Sequence, residues 1–463
     1  MSEWATVQAI DIAAASRWDA EFFVNPYNDY LNKLFARWTD WISLKAASDK
    51  LTSGHTPLRH DVTEGDTPFV TVECVDPLRL NADKTKRIWA AHAIGELSRA
   101  CVSKGDLLIT IKRRIGISSP VLDDPGLMAV NQDVVVMTPK KGFRPGYVAA
   151  VLNSRIGQFQ ALRHATEQMN PYLNVTSLGQ LLIPRVSDPV QRKIEAVVQA
   201  CLAAHEQSVS GYREAEDELL ERIGWEKLRQ QPTELFYVRE LSELRAATRA
   251  DAEYFQPQYV RLRTQLIRGG AKPIGEFCPK PVRGVQPQIV EGGDVVVVDS
   301  KSVRQQGIDP SVGEHTSREF HDHPQNAKAR VVRSDVLLNS TGRGTLGRAA
   351  CYQLDSPAIC DNHVAILRPD QHVCDPTYLS LFLNSPAGLA QSEQFQTGSS
   401  GQLEIYPEHV QQFLVFLPQK NKREVDLAWQ TSLARKVQGA IAAKAIARDK
   451  LEEAKQLAEK AIA

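Results

Sequence analysis

The sequence predicts an α+β protein built twice over, as two tandem pseudo-symmetric domains separated by an antiparallel coiled coil of two long helices. Three observations predict it. A series of motifs returns at a nearly constant offset, each copy carries short apolar strands without regular β–α alternation, and each copy closes on a long amphipathic stretch. At 463 residues the chain exceeds ordinary single-domain size, which agrees with two domains plus connecting elements.

The repeat is read directly from the residues. RWDAEFF (17–23) returns as RADAEYF (249–255), with Asp19 and Asp251 232 apart, and Tyr27 falls on Tyr259. SGHTP, ending at Pro57, faces RGVQP, ending at Pro287, and GDLL from Gly105 faces SDVL from Ser334. Pro145 and Tyr147 meet Pro376 and Tyr378, Leu152-Asn153-Ser154 meets Leu383-Asn384-Ser385, and LLIP at Pro184 meets VFLP at Pro418. Collinear matches whose offset drifts by only a few residues mark a duplication with short loop insertions.

Within each copy the elements follow in the same order. A short helix is expected around each Asp-Ala-Glu-aromatic-Phe segment. Strands follow at PFVTVECV (68–75) and DVVVVDS (294–300), bounded by Gly, Pro, Asp and Ser. A strand–turn–strand unit comes next, GDLLITIKRRIGISSPVL in one copy and SDVLLNSTGRGTLGRAACYQL in the other. A further strand (VVVMTP; HVAILRP) leads to one helix, YVAAVLNSRIGQFQALRHA or YLSLFLNSPAGLAQSEQF, and a last strand ends in the I/L-P motif.

After that motif each copy turns helical. One stretch has apolar positions at Ile194, Val198, Cys201, Leu202, Val209, Tyr212, Leu219 and Ile223; the other at Val425, Trp429, Leu433, Val437, Ile441, Ile446, Leu451, Ala454 and Leu457. Spacings of three and four put each set on one stripe. Such a helix either packs on its own domain or pairs with a partner, and two matching helices point to an antiparallel pair. The expected division is 1–186 and 231–419 for the two domains, with 187–230 and 420–463 for the helices.

Composition narrows the class without naming a function. Hydrophobic and charged fractions of 43% and 24% are those of an ordinary globular chain, and no run is apolar enough to span a membrane. The start has Glu3 and Asp11 and no basic lead into an apolar run, so no secretory signal is expected and a cytoplasmic location follows. Seven scattered cysteines, never C-x-x-C, read as reduced, mostly structural thiols. Fifty-five basic and 55 acidic residues cancel, which argues against a wholly basic, histone-like binder. A neutral sum leaves local basic clusters able to meet phosphates.

The motifs LTSGHTP and GDTPFVTV, the unit SDVLLNSTGRGTLGR, and the series DNHVAILRP, P-x-YL, LNS, GSSGQLEIY and FLVFLP resemble the specificity subunit of type I restriction–modification systems. The first copy carries a looser version: NQDVVVMTP, PGYV, LNS and LLIP. The resemblance covers nearly the whole chain, twice over. It implies two target-recognition domains, each engaging one part of a bipartite, asymmetric site on double-stranded DNA, with the helices as the spacer. It implies no catalysis, cofactor or metal on this chain. Two methylation subunits would bring S-adenosylmethionine and methylate adenine N6, and a motor-nuclease subunit would join for cleavage.

Contact residues are expected at two places in each domain. Lys112, Arg113 and Arg114 in one turn, and Arg343, Thr345 and Arg348 in its equivalent, place cations where a projecting turn reaches phosphates or guanine edges. The polar openings Ser53, His55 and Thr56, and Arg283 and Gln286, are the second set. Each also reads as a solvated loop.

Other motifs are given blander readings. Gly342 to Gly347 spells G-x-G-x-x-G, but the RAACYQL that follows reads as a strand, so the glycines serve a turn rather than a dinucleotide. Asn25-Pro26-Tyr27 and Asn170-Pro171-Tyr172 lack the second proline of an amino-methyltransferase motif and read as turns. His321-Asp322-His323 lacks further ligands nearby and reads as a solvated loop. The Asp-Ala-Glu-aromatic-Phe segments read as aromatics packing on their domain, with a docking surface as the alternative.

Overall fold

The runs VVVM and VVVV put β-branched side chains at consecutive positions, a pattern that suits strands covered on both faces. Both form such strands. Val134–Pro139 is buried through its first four residues and Val295–Val298 throughout. The computed structural model describes residues 19–23, 26–57, 65–166, 170–231, 236–398, 403–421 and 424–462. The chain divides into two compact units, Met1–Glu206 with Ala445–Ala463, and Gln207–Lys444.

In the first unit, Val134–Pro139 lies between Ser48–Ser53 and Leu107–Thr110, with Ser118–Pro120 beyond, all antiparallel. A second sheet joins Lys86–Ile88, Thr67–Val70 and Ala129–Val130, the last pair parallel. Trp41–Ser43 pairs with Leu182–Pro184, and a small hairpin joins Val75–Asp76 to Arg79–Leu80.

The second unit repeats this plan, but its second sheet has four strands where the first unit's has three, with His315–Thr316 and Arg330–Val331 at its edges. Its main sheet runs Val282–Arg283, Val364–Leu367, Val336–Asn339, Ala349–Cys351, again antiparallel. Its second sheet pairs Val295–Val298 parallel with Ala358–Cys360. Lys272–Pro273 pairs with Leu414–Val415, and Val303–Arg304 with Gly307–Ile308. Glycine is required where the opening strand crosses its neighbour. A Cβ on Gly54 would lie 1.8 Å from Val130 O, and one on Gly284 2.1 Å from Cys360 O.

Two expectations are corrected. The helix read through LNS is two helices in each unit, Pro145–Asn153 then Arg155–His164, and Pro376–Asn384 then Pro386–Phe395. The serine breaks it: Ser154 and Ser385 are extended, and their hydroxyls cap the next helix through Ile156 N and Gly388 N. The short helix expected at the aromatic segment is present as Ala20–Phe23, but residues 252–255 form turns. There Arg249 bonds Asp251 at 2.7 and 2.8 Å and the carbonyls of Phe395 and Gln396, tying the segment to the domain instead. Its aromatics pack as expected, Phe22 edge-on to His164 and Tyr254 edge-on to Phe395.

The long helices span Asp188–Ile223 and Leu427–Lys460, each about 50 Å at 1.5 Å per residue. In the first unit Cys201 Sγ donates to Ala447 O at 3.1 Å, and Ile194 and Val198 share a core with Ala454, Ala458 and Ile462. In the second, Glu218 bonds Trp429 Nε1 at 2.7 Å and Lys436 Nζ at 2.8 Å, while Arg222 meets Asp426 at 3.1 Å. Rising numbers on one helix meet falling numbers on the other, so the pairing is antiparallel within each unit. The stripe expected on the C-terminal helix is off by one at Ile446, which is 51% exposed. Ala440, Ala443, Ala447, Ala454 and Ala458 line the seam, because small side chains let the backbones approach.

Candidate nucleic-acid interface

Each unit presents two loops side by side at one end of its main sheet. In the first, the turn after Leu107–Thr110 meets the loop 166–172: Arg113 N donates to Pro171 O at 3.0 Å and Leu173 N to Ile111 O at 2.8 Å. In the second, Gly342 N donates to Leu403 O at 3.0 Å and Ile405 N to Ser340 O at 2.8 Å. The second loop closes the same way in both. Thr166 and Tyr172 exchange backbone bonds at 2.9 Å, as Thr397 and Glu404 do at 2.8 and 2.9 Å. Asn170-Pro171-Tyr172 thus belongs to a turn beside the basic cluster; Asn25 lies outside the described residues.

The basic turns differ in how their charge is spent. Arg113 takes a left-handed conformation (φ 62°) and its guanidinium pairs with Glu73 at 3.2 Å. The Thr71 hydroxyl first, then the backbone amide at Glu73, and more weakly Arg113, hold the Glu73 carboxyl below its usual range. Arg114 pairs with Asp76 at 3.2 Å. Lys112 is exposed and makes no ion pair among the described residues. In the second unit Gly342, Gly344 and Gly347 have φ of 96, 84 and 80°, a path closed to most side chains. A strand, Ala349–Cys351, follows them rather than a helix, so the glycine pattern cradles no dinucleotide. Arg343 projects into solvent without an ion pair among the described residues. Thr345 Oγ1 donates to Thr341 O at 3.1 Å, and Arg348 folds back on Gly344 O at 3.0 Å, so both brace the turn.

The openings sit beside these turns. Ser53 ends its strand opposite Val135 and is half-buried. His55 meets Glu96 at 3.2 Å, and Thr56 bonds Gln132, next to the Asp133 carbonyl that receives Ile111 N. Arg283 pairs with Glu404, donates to Ile405 O at 2.8 Å and lies over the Tyr406 ring. Burial pushes the Glu404 carboxyl up, but Arg283, Tyr406 and His363 together hold it below its usual range. Gln286 is exposed. The structure therefore gathers Arg343, Thr345 and Arg348 in one turn, and the side chains of Lys112, Arg343 and Gln286 are exposed, without an ion pair among the described residues.

Sequence reasoning missed the second loop, with Tyr172 and Tyr406 exposed on either unit. Its signal was the reciprocal threonine, Thr166 and Thr397, which the duplication aligns. His321-Asp322-His323 is a local pair, His321 Nδ1 to Asp322 at 2.6 Å, and no group of three metal-ligating side chains exists among the described residues. All seven cysteines are free; burial pushes Cys278 up to about 12 and Cys351 to about 11. No described helix is long and apolar enough to cross a membrane.

The chain is similar in structure to S subunits of type I restriction–modification systems. That of M. genitalium matches over 91% of this chain and 95% of its own, at 12% identity and a TM-score of 0.47. The HsdS subunit of Thermoanaerobacter tengcongensis matches over 91% and 96%, at 15% identity and a TM-score of 0.29. A chain from a structure of type I R-M complex assembly and conformational transition matches over 91% and 97%, at 15% identity and 0.31. No family profile and no curated protein matches the chain. At such identities and scores the functional reading rests on the chain's own duplicated geometry.

Proposed function

We propose that the chain is a non-catalytic specificity subunit of a type I restriction–modification complex, reading a bipartite, asymmetric site on double-stranded DNA. The observation that carries this is the duplicated two-loop tip, whose basic turn carries an exposed cation without an ion pair among the described residues in each unit, Lys112 in the first and Arg343 in the second. Lys112 and Arg343 meet phosphates, while Gln286 and the openings Ser53, His55 and Thr56 lie within reach of base edges. Arg113, Arg114 and Arg283 enter by exchanging a carboxylate for DNA.

On this reading residues 1–186 and 231–419 are the target-recognition domains, and the helical stretches 187–230 and 420–463 set the spacing of the half-sites. A rigid spacer yields a fixed gap and raises effective concentration. Two methylation subunits and a motor-nuclease subunit dock on the chain, and the assembled complex methylates adenine N6 and cleaves.

Methylome sequencing of a host carrying the chain with its methylation partner tests it. A two-part adenine motif is expected, lost when the chain is deleted. Inserting a few residues after position 200 should change the accepted gap; an unaltered gap removes the spacer role.

One observation favours a second reading, an adaptor that recruits proteins without reading DNA: Arg113, Arg114 and Arg283 are each neutralised by a carboxylate. Absence of any sequence motif together with intact partner assembly would select it.

A further inference from the structure

The two units treat one place on the helix after LNS in opposite ways. In the first, Phe159 on Arg155–His164 is the centre of an aromatic cluster. Tyr27 stacks on its ring at 4.7 Å and Tyr30 meets it edge-on at 5.2 Å, the two standing at the start of the helix Asn28–Arg37. Arg155 closes the edge of the cluster. Its guanidinium lies over the Tyr30 ring at 5.4 Å, and its amide and Nε each donate to Glu459 at 3.0 Å.

In the second unit both the ring and its seal are replaced. The equivalent helix Pro386–Phe395 has Ala390 where the first has Phe159, each just before the glutamine, Gln391 or Gln160, that accepts an amide of the last strand. Pro386 stands for Arg155 and offers neither an amide N–H nor a guanidinium. What results is a cavity of about 430 Å³ walled by Trp225, Leu228, Tyr259, Leu262, Leu389 and Ala390. Gln231 and Gln258 line it as exposed side chains, so its mouth is polar. Such a place suits a ring with a polar edge, the hydroxyl of Tyr or the N–H of Trp.

The chain just beyond Gln231 carries a second mark of an interface. Phe236, Val238 and Leu241 are 89, 90 and 60% exposed, a run of large apolar side chains in water. The Tyr237 hydroxyl donates to Ala252 O, and Arg239 Nη2 to Phe255 O at 3.2 Å. These bonds hold the run against the residues leading into Pro257–Arg268, the helix that brings Tyr259 and Leu262 to the cavity.

We propose that an aromatic side chain of a docking protein, the methylation subunit, enters this cavity and takes the place that Phe159 holds in the first unit. Aromatic anchors seated in apolar pockets carry a large share of the binding energy at protein interfaces. The identity of the partner rests on the function proposed above. The two methylation subunits then dock by unequal contacts, because the first unit fills the place with a ring of its own.

Two arms on the full chain decide it, using wild type, A390F, which restores the first unit's ring, and A390L, which serves if A390F folds poorly. In the first, the chain is titrated with the methylation subunit and the mass of the complex is measured. Wild type is expected to take up two subunits, and A390F to keep one and bind the other at least about tenfold more weakly. In the second, thermal unfolding is followed with p-cresol against cyclohexanol, a ring of similar size without aromatic faces. A rise in wild-type Tm with p-cresol, absent in A390F, is expected. Equal uptake of two subunits by wild type and variants overturns the docking, and with the p-cresol shift present it makes the cavity a small-molecule site instead. A self-associated wild-type chain that A390F turns into a monomer, with uptake of the methylation subunit unchanged, makes the occupant a second copy and likewise overturns it. If wild type takes up no methylation subunit at all, the specificity-subunit reading has failed; failure of the pocket alone leaves both complexes whole.

Discussion

Asn384 grips Ala349 from both sides of its peptide group: its Oδ1 accepts Ala349 N at 2.9 Å and its Nδ2 donates to Ala349 O at 2.7 Å. Asn153 holds Ser118 in the same way, at 3.2 and 2.7 Å. The clamp sits where the helix pair crosses the strand after the basic turn, so it fixes that turn's far end to the domain core. The neighbouring bonds are duplicated too. Gln160 and Gln391 each exchange two bonds with the last strand, at Leu182 and Leu414. Tyr147 and Tyr378 each donate to a carbonyl near its end, at Pro184 and Phe416.

Replacing Asn384 with Ala leaves the amide and carbonyl of Ala349 buried without partners. Each stranded group costs about 1–3 kcal/mol, so N384A should lose roughly 2 kcal/mol or more, read as a lower urea midpoint. N153A should do the same in the first unit. A shift under about 0.5 kcal/mol in either would mean that water or a neighbour replaces the clamp.

The unpaired cations should behave differently from the paired ones. K112A and R343A are each expected to lower duplex affinity of the assembled complex for all sequences alike, and to reduce the salt slope by about 1. E73Q frees Arg113 and should raise affinity at low salt. If K112A and R343A leave the slope untouched, the two turns lie off the DNA path.

The duplication and most strands were legible because apolar runs and turn residues repeat in order. The break at Ser154 and Ser385 was not, since LNS carries no helix breaker in the first copy, and only Pro386 marks it in the second. The alanine seam escaped notice because alanine adds little to an apolar stripe, while Ile446 adds much and points outward. Charge at the tips was the least legible feature. Glu73, Asp76 and Glu404 neutralise arginines 38 to 121 residues away, a pairing that only the folded sheets create.

Asp361 makes the second unit sensitive to pH. Burial, with smaller contributions from Asp299 and Glu314, pushes its carboxyl from 3.8 to about 6, against the opposing His363 amide and ring. A raised value in the fold means that the folded state holds the proton more tightly than the unfolded chain. Its stabilisation is therefore complete below about pH 4 and is lost as pH rises through about 6, by on the order of 3 kcal/mol. D361N keeps an acceptor for His363 N and removes the charge. It should melt higher than wild type at pH 7 and no higher at pH 4; parallel pH profiles would assign the slope to other groups.

Gly211 offers the sharpest test of the helix seam in the second unit. A Cβ there would sit 3.7 Å from Ala440 Cβ and 3.8 Å from Lys436 O, ordinary contact distances. Gly costs a helix interior about 1 kcal/mol relative to Ala, so G211A should stabilise by up to that amount. Ala440 is 2% exposed against the same seam, and A440L adds three carbons where the backbones already touch. It should destabilise by about 1–3 kcal/mol. Opposite signs for the two substitutions, measured in the same denaturant series, are the signature of a close-packed antiparallel pair. Loss of stability in both would mean that the glycine is needed for an approach tighter than 3.7 Å.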